Sequence, residues 1–243
     1  MSLNIKEIGK LIEHAVLKTD ATNEIVIKEA EVAKQEGARA LVVHPNNFLL
    51  IDDYFQDTDV LAVPVADFPH GREFSRQRRN SLNDLYTVGA KEIDVVSQYQ
   101  LLKEKNYEGF HKDLNELVNV SISHNGVLKI ILEVDELTKD QIESAVHIIM
   151  ETAALKQDAK LFIKTKTGFA KEVKIDNLDA VETIAGLLKE HEMYGEGQGK
   201  IRVKASGGTR TLDTLLALKE LGAHTIGTSS LKPIMDEARI KFK

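Results

Sequence analysis

Short β-branched runs with a two-residue alternation give way, again and again, to longer stretches of helical period. The runs predict strands over residues 13–17, 40–44, 61–66, 92–96, 128–134, 161–165, 201–205 and 225–227. Between them, residues 23–35 space Ile25, Ile27, Ala30, Val32 and Ala33 along one helix face, and residues 138–154 do the same with Ile142, Val146, Ile149 and Met150. Residues 178–188 and 212–221 follow that pattern. Thr138 and either Thr22 or Asn23 stand at helix starts, and Gly37 and Gly222 follow helix ends. About eight strand–helix units result, an order that makes a parallel sheet covered by helices. No Pro/Gly/Ser-rich linker interrupts the chain, so residues 1–243 read as a single domain. The length suits an α/β fold of the (β/α)8 TIM barrel type, which takes about 250 residues. An open doubly wound sheet satisfies the same alternation.

The polar half of that alternation is unusual. A parallel strand covered on both faces is normally apolar throughout. Here Leu128, Ile130 and Leu132 oppose Lys129 and Glu133, and Ile93 and Val95 oppose Glu92 and Asp94. Leu161 and Ile163 oppose Lys164, and Ile201 and Val203 oppose Arg202 and Lys204. With the apolar sets under the helices, the charged sets point into the barrel. Buried charges are costly unless paired, and the repetition over four strands points to a catalytic pocket. Asp94, Lys164 and Lys204 fall near the carboxyl ends of their strands, the end where barrels carry active sites. Arg202 and Glu92 lie deeper, as expected of a structural ion-pair layer.

Two loops near the end of the chain add an anion site. Lys204–Thr211 leaves a strand through Gly207 and Gly208 and enters a helix, and residues 227–230 repeat this with Ser229 and Ser230. Glycines allow close backbone approach, amides at helix starts bind anions, and the loops after the last two strands are the usual phosphate site of such barrels.

Composition narrows the chemistry. A net charge of -6 argues against a nucleic-acid-binding surface, and the absence of cysteine removes disulfides, thiolate metal sites and a cysteine nucleophile. No apolar run approaches the ~20 residues of a membrane span, and no signal-peptide pattern opens the chain. The expectation is a cytoplasmic protein with no nucleic-acid or membrane partner. His14, His44 and His70 match no common zinc spacing, and no metal or other cofactor is expected.

The segment Phe162-Ile163-Lys164-Thr165-Lys166-Thr167-Gly168-Phe169 resembles the lysine segment of deoxyribose-phosphate aldolases, and Lys204-Ala205-Ser206-Gly207-Gly208-Thr209-Arg210-Thr211 resembles their second one. Further matches at residues 12–18, 68–71, 89–96, 128–133 and 227–230 follow in family order, so the resemblance spans essentially the whole chain. It implies a TIM barrel that cleaves 2-deoxyribose 5-phosphate into acetaldehyde and glyceraldehyde 3-phosphate. It implies Lys164 as the Schiff-base lysine, Lys204 as the second lysine and Asp94 as the proton-relay carboxylate. Substrate contacts are implied at Glu13, Lys129, Thr167, Gly168, Gly207, Gly208, Ser229 and Ser230. The partner is a small phosphorylated sugar, and a homo-oligomer fits the family. The chemistry suits the residue types: a lysine attacks a carbonyl only as the free amine, a neighbouring ammonium disfavours its charged form, and the iminium draws electrons without a metal.

Four positions depart from the family pattern. Glu13 stands for aspartate, Ala15 for threonine, Val42 for a frequent cysteine, and Lys166 for a small residue. Lys166 either adds positive charge near the site or faces solvent from a loop. A different aldol substrate pair and a non-catalytic sugar-phosphate binder are the competing readings.

Overall fold

A computed structural model describes residues 3–242. Among the described residues, eight parallel strands close into a barrel in sequence order. They are β1 Ile12–Val16, β2 Ala40–Val43, β3 Leu61–Ala66, β4 Glu92–Val96, β5 Val127–Ile131, β6 Lys160–Lys164, β7 Ile201–Ser206 and β8 Thr225–Thr228. The helices are α1 Ile5–Leu11, α2 Asn23–Gln35, α3 Pro45–Tyr54, α4 Ser75–Thr87, α5 Tyr99–Lys103, α6 Tyr107–Ser123, α7 Lys139–Leu155, α8 Asn177–Glu190, α9 Leu212–Leu221 and α10 Leu231–Lys241. The closed ring, with β1 paired to β8, decides for the (β/α)8 TIM barrel over the open sheet. Among the described residues no helix is long and apolar enough to cross a membrane.

Two apolar clusters follow from the alternation. Ile93, Val95, Leu128, Ile130, Leu161, Ile163 and Val203 face outward and join the helices in the larger one. A smaller cluster of Ala40, Val42, Val63 and Val65, with Leu17, fills the β1–β3 side of the barrel interior. The charged interior positions sit on β1 and β4–β7, with the Phe162 ring packed among them.

Local chemistry places the ends. The hydroxyl of Thr138 caps α7 in a capping box with Gln141, Thr22 caps α2, and Gly222 ends α9 at φ 123°. The expected strand over 128–134 stops earlier, at Ile131. Glu133 takes a left-handed backbone (φ 58°, ψ 61°) and turns the chain into a 3-10 turn, Val134–Glu136. Leu132 and Val134 are buried although they leave the ladder, so their apolar character did not mark the strand end. The sequence reading did not single out α1, α3, α4, α5, α6 or α10. In α3 the first position is Pro45, which already has helical φ, and α4 is polar almost throughout.

Replacing the α7 cap, Thr138→Ala, is expected to cost about 1 kcal/mol. It should lower the urea midpoint with an unchanged slope and leave catalysis intact.

Candidate active site

Ion pairs cross the barrel from strand to non-adjacent strand, which fixes the charged sets inside it. Glu13 on β1 reaches Lys129 on β5 at 2.8 Å and also meets Lys204 on β7. Arg39, just ahead of β2, bonds Glu13 at 2.9 Å and Glu92 on β4. Lys129 also lies 2.7 Å from Glu92 and 3.4 Å from Asp94 Oδ1. At the upper end of the cluster, Asp94 Oδ2 accepts from two amines, Lys164 Nζ at 2.8 Å and Lys204 Nζ at 2.6 Å. The register pairs Lys164 with Lys204 on adjacent strands, so both side chains rise from the same level.

The fields within this cluster decide its charges. Burial penalises the Glu13 and Asp94 anions, but the lysines around them outweigh that penalty and hold both carboxyls well below the usual range. Burial likewise opposes the charge on Lys129, yet Glu13, Asp94 and Glu92 raise it above the ordinary lysine value. For Lys204 burial wins: against the pull of Asp94 and Glu13, its amine is drawn down to about 8.

Above the cluster opens a cavity of about 480 Å³ at the carboxyl end of the strands. Lys164 and Lys204 form its floor, and Thr167, Gly168, Gly207, Gly208, Ser229 and Ser230 line one wall. Gly168, Gly207 and Gly208 take φ of 84°, 88° and 78°, a region that only glycine enters at no cost. Ser229 and Ser230 lead into α10, and the Gly207–Gly208 loop leads into α9 through its cap, Thr211. The two loops are tied to the barrel: Thr165 Oγ1 donates to the Ser206 carbonyl at 3.2 Å and accepts from its amide at 3.0 Å, and Thr228 Oγ1 donates to the Thr209 carbonyl at 2.6 Å. Ala15, Leu17 and Val42 also line it.

Glu13, Lys129 and Lys166 are all buried. Glu13 and Lys129, expected as substrate contacts, are fully buried and do not line the cavity. Their polar atoms are taken up by one another and by Arg39, Glu92 and Lys204, which turns them into the ionic layer beneath it. Lys166 neither adds charge to the cavity nor faces solvent. It is 4% exposed and its ammonium is bound to Asp135.

Several residues around the cavity had been given no role in it. Arg39 sits outside any strand, so alternation could not mark it. Glu133 had been read on a strand, whereas it lies in the turn after β5 and holds the Thr167 amide at 3.3 Å. Phe68 and Phe169 pack edge to face at 5.2 Å beside the cavity, with Lys164 Nζ 6.0 Å from the Phe68 ring. His14 bridges the Thr228 carbonyl and Glu29. Among the described residues, no group of three or more His, Asp or Glu is arranged to hold a metal ion.

No family model matches the chain. Curated relatives do. The deoxyribose-phosphate aldolase of Caldicellulosiruptor saccharolyticus is 30% identical over 234 residues, which is 96% of this chain and 98% of that protein. That of Clostridium tetani is 32% identical over 238 residues, covering 96% and 100%. Among solved structures, the aldolase QR15 superposes with a TM-score of 0.82 at 29% identity, covering 97% of both chains. The tetrameric deoxyribose phosphate aldolase of Aeropyrum pernix shares the fold, with a TM-score of 0.82 at 24% identity over 97% of this chain and 92% of that one.

A carboxyl whose folded pKa lies below its unfolded value adds stability that is complete above the unfolded value, about 4.3 for glutamate, and is lost as pH falls toward the folded one. Stability is therefore expected to fall steeply as pH drops below about 4. Glu13→Gln should cost about 3–5 kcal/mol at pH 7, because it leaves buried lysines underpaired, and its stability should depend less on pH in the acid range. Urea midpoints of both proteins at pH 7 and pH 3.5 check this.

Proposed function

This chain belongs to the deoxyribose-phosphate aldolase family, and from that premise we propose that it cleaves 2-deoxyribose 5-phosphate to acetaldehyde and glyceraldehyde 3-phosphate through a Schiff base on Lys164. The observation that carries this reading is the shared carboxylate oxygen: Asp94 Oδ2 lies within hydrogen-bond distance of both lysine amines on the cavity floor.

The two lysines divide the labour. Lys164 presents its amine to the cavity. Lys204, clamped by Asp94 and Glu13 and drawn down to about 8, exchanges protons near neutral pH. A Lys204 amine that has lost its proton takes one from Lys164 by way of Asp94, and the freed Lys164 nitrogen adds to the C1 aldehyde. Loss of water gives the iminium. Removal of the C3 hydroxyl proton then breaks the C2–C3 bond, and its electron pair flows into the iminium as an enamine. Glyceraldehyde 3-phosphate leaves. Protonation of the enamine and hydrolysis release acetaldehyde and restore the amine.

The substrate phosphate belongs against Gly168, Gly207, Gly208, Ser229 and Ser230, where glycine backbones allow close approach and two helices begin. Thr167 lines the same wall. With the phosphate held there, C1 is directed at Lys164 and the reaction becomes intramolecular in effect. A second reading has one observation in its favour. The wall formed by Ala15 and Val42 offers no side-chain hydrogen bond. A substrate hydroxyl on that side is unrecognised by those two residues, which favours an aldol pair with fewer hydroxyls.

Incubation with 2-deoxyribose 5-phosphate and borohydride is expected to add a stable mass to Lys164, and Lys164→Ala should abolish both the adduct and turnover in a coupled NADH assay. Turnover that survives in Lys164→Ala would remove the lysine from the mechanism. Lys204→Leu should lower kcat/KM by about 10²–10⁴-fold and erase the limb of its pH profile near 8. A profile of unchanged shape would exclude Lys204 as the proton-exchanging group.

A further inference from the structure

We propose that Lys166 and Asp135 form a clasp that positions the phosphate-holding loops, which makes Lys166 a positioning residue for phosphorylated substrates. This rests on the phosphate wall proposed above. The Lys166 ammonium lies 2.8 Å from each carboxylate oxygen of Asp135 and donates to the Ile175 carbonyl at 3.1 Å. Asp135 Oδ1 also accepts from the amides of Lys174 and Ile175, at 3.1 and 3.4 Å. Both side chains are nearly out of solvent, with 4% and 2% exposure.

One turn thereby governs the whole loop between β6 and α8. The 3-10 turn after β5 supplies Asp135, which holds positions 166, 174 and 175. The residue just before that turn, Glu133, holds Thr167 through both its amide and its hydroxyl. Thr167 Oγ1 in turn accepts from the Phe169 amide at 3.0 Å. Gly168 sits between these anchors, so its place is set from both sides.

The clasp reaches the second glycine loop by contact. The Lys166 stem runs beneath Gly207, where an added methyl would lie 2.9 Å from Lys166 Cδ and 3.0 Å from Cγ. Across the same gap a methyl on Gly168 would lie 3.9 Å from Gly207 Cα. The Gly207 carbonyl is held from the far side by Asn177 Nδ2 at 3.1 Å. The spacing between the two phosphate-facing backbones therefore depends on a lysine stem whose charged end is fixed by Asp135. A buried carboxylate left without that ammonium is costly, and the cost is relieved by movement of the loop or by a proton on Asp135, either of which loosens the clasp.

The test separates phosphate recognition from chemistry. Lys166→Met keeps most of the stem and removes the charge. It should raise KM for 2-deoxyribose 5-phosphate about tenfold or more, with kcat/KM for unphosphorylated 2-deoxyribose within twofold of the parent enzyme. Binding of inorganic phosphate, measured by calorimetry, should weaken by the same factor. Asp135→Asn retains an oxygen for the two amides while dropping the counter-charge, and should give the same split should the methionine variant fail to fold. Equal losses on both sugars, or unchanged phosphate binding, would overturn the clasp. Weakened phosphate binding in the variant, where the parent enzyme itself turns over neither sugar, would uphold the clasp and reject the proposed substrate.

Discussion

A mismatch of one charge organises the barrel interior. Arg39, Lys129, Lys164 and Lys204 carry the cations of the connected cluster, and Glu13, Glu92 and Asp94 carry its anions. In a space with so little water an unbalanced charge is expensive, and the cheapest relief is loss of a proton from a lysine. Arginine does not serve, because its guanidinium stays protonated. Lys129 does not serve either, because three carboxylates surround it. At the upper edge of the cluster, where Lys204 meets the cavity, burial draws its amine down to about 8 against the pull of Asp94 and Glu13, and the charge of Lys129 adds to the fall. The deep ion pairs thus reach the floor of the cavity by keeping Lys129 charged beneath it.

The fold was largely legible because parallel strands rarely tolerate charge. Glu92, Asp94, Lys129, Lys164 and Lys204 announced an interior that is not a plain apolar core, and their apolar partners on the alternate positions announced which face the helices cover. What alternation conveys is parity along one strand. It does not give height along the barrel axis or the identity of a partner on another strand. Glu13 and Lys129 have the parity of the cavity floor but sit one layer below it, where their charges meet each other. Arg39, outside every run, carries no parity at all, and its role emerges only when β1 and β4 come together around it.

The loops resisted reading for a related reason. Lys166 shares its parity with Lys164, yet beyond Lys164 the ladder ends and parity loses its meaning. Its true partner, Asp135, lies 31 residues away on a turn that begins with a left-handed glutamate. The run of apolar residues through Leu132 and Val134 hid that turn, since burial in a turn and burial in a strand select the same side chains. The glycines were easier: Gly207 and Gly208 signalled a tight passage, and both have positive φ. Gly207 is the one pressed against a neighbouring side chain, the Lys166 stem.

That contact makes positions 166 and 207 a linked pair in any change to this barrel. The room that a side chain on residue 207 would need is already filled by methylenes of residue 166, so the two cannot both grow. A chain with a short residue at 166 has slack beneath its second glycine loop. A chain with a long one has used that slack and is committed to glycine. Position 207 is thus bound to glycine twice over, by its backbone at φ 88° and by the methylenes of residue 166. What one position holds sets the room left at the other, even though 40 residues of sequence lie between them.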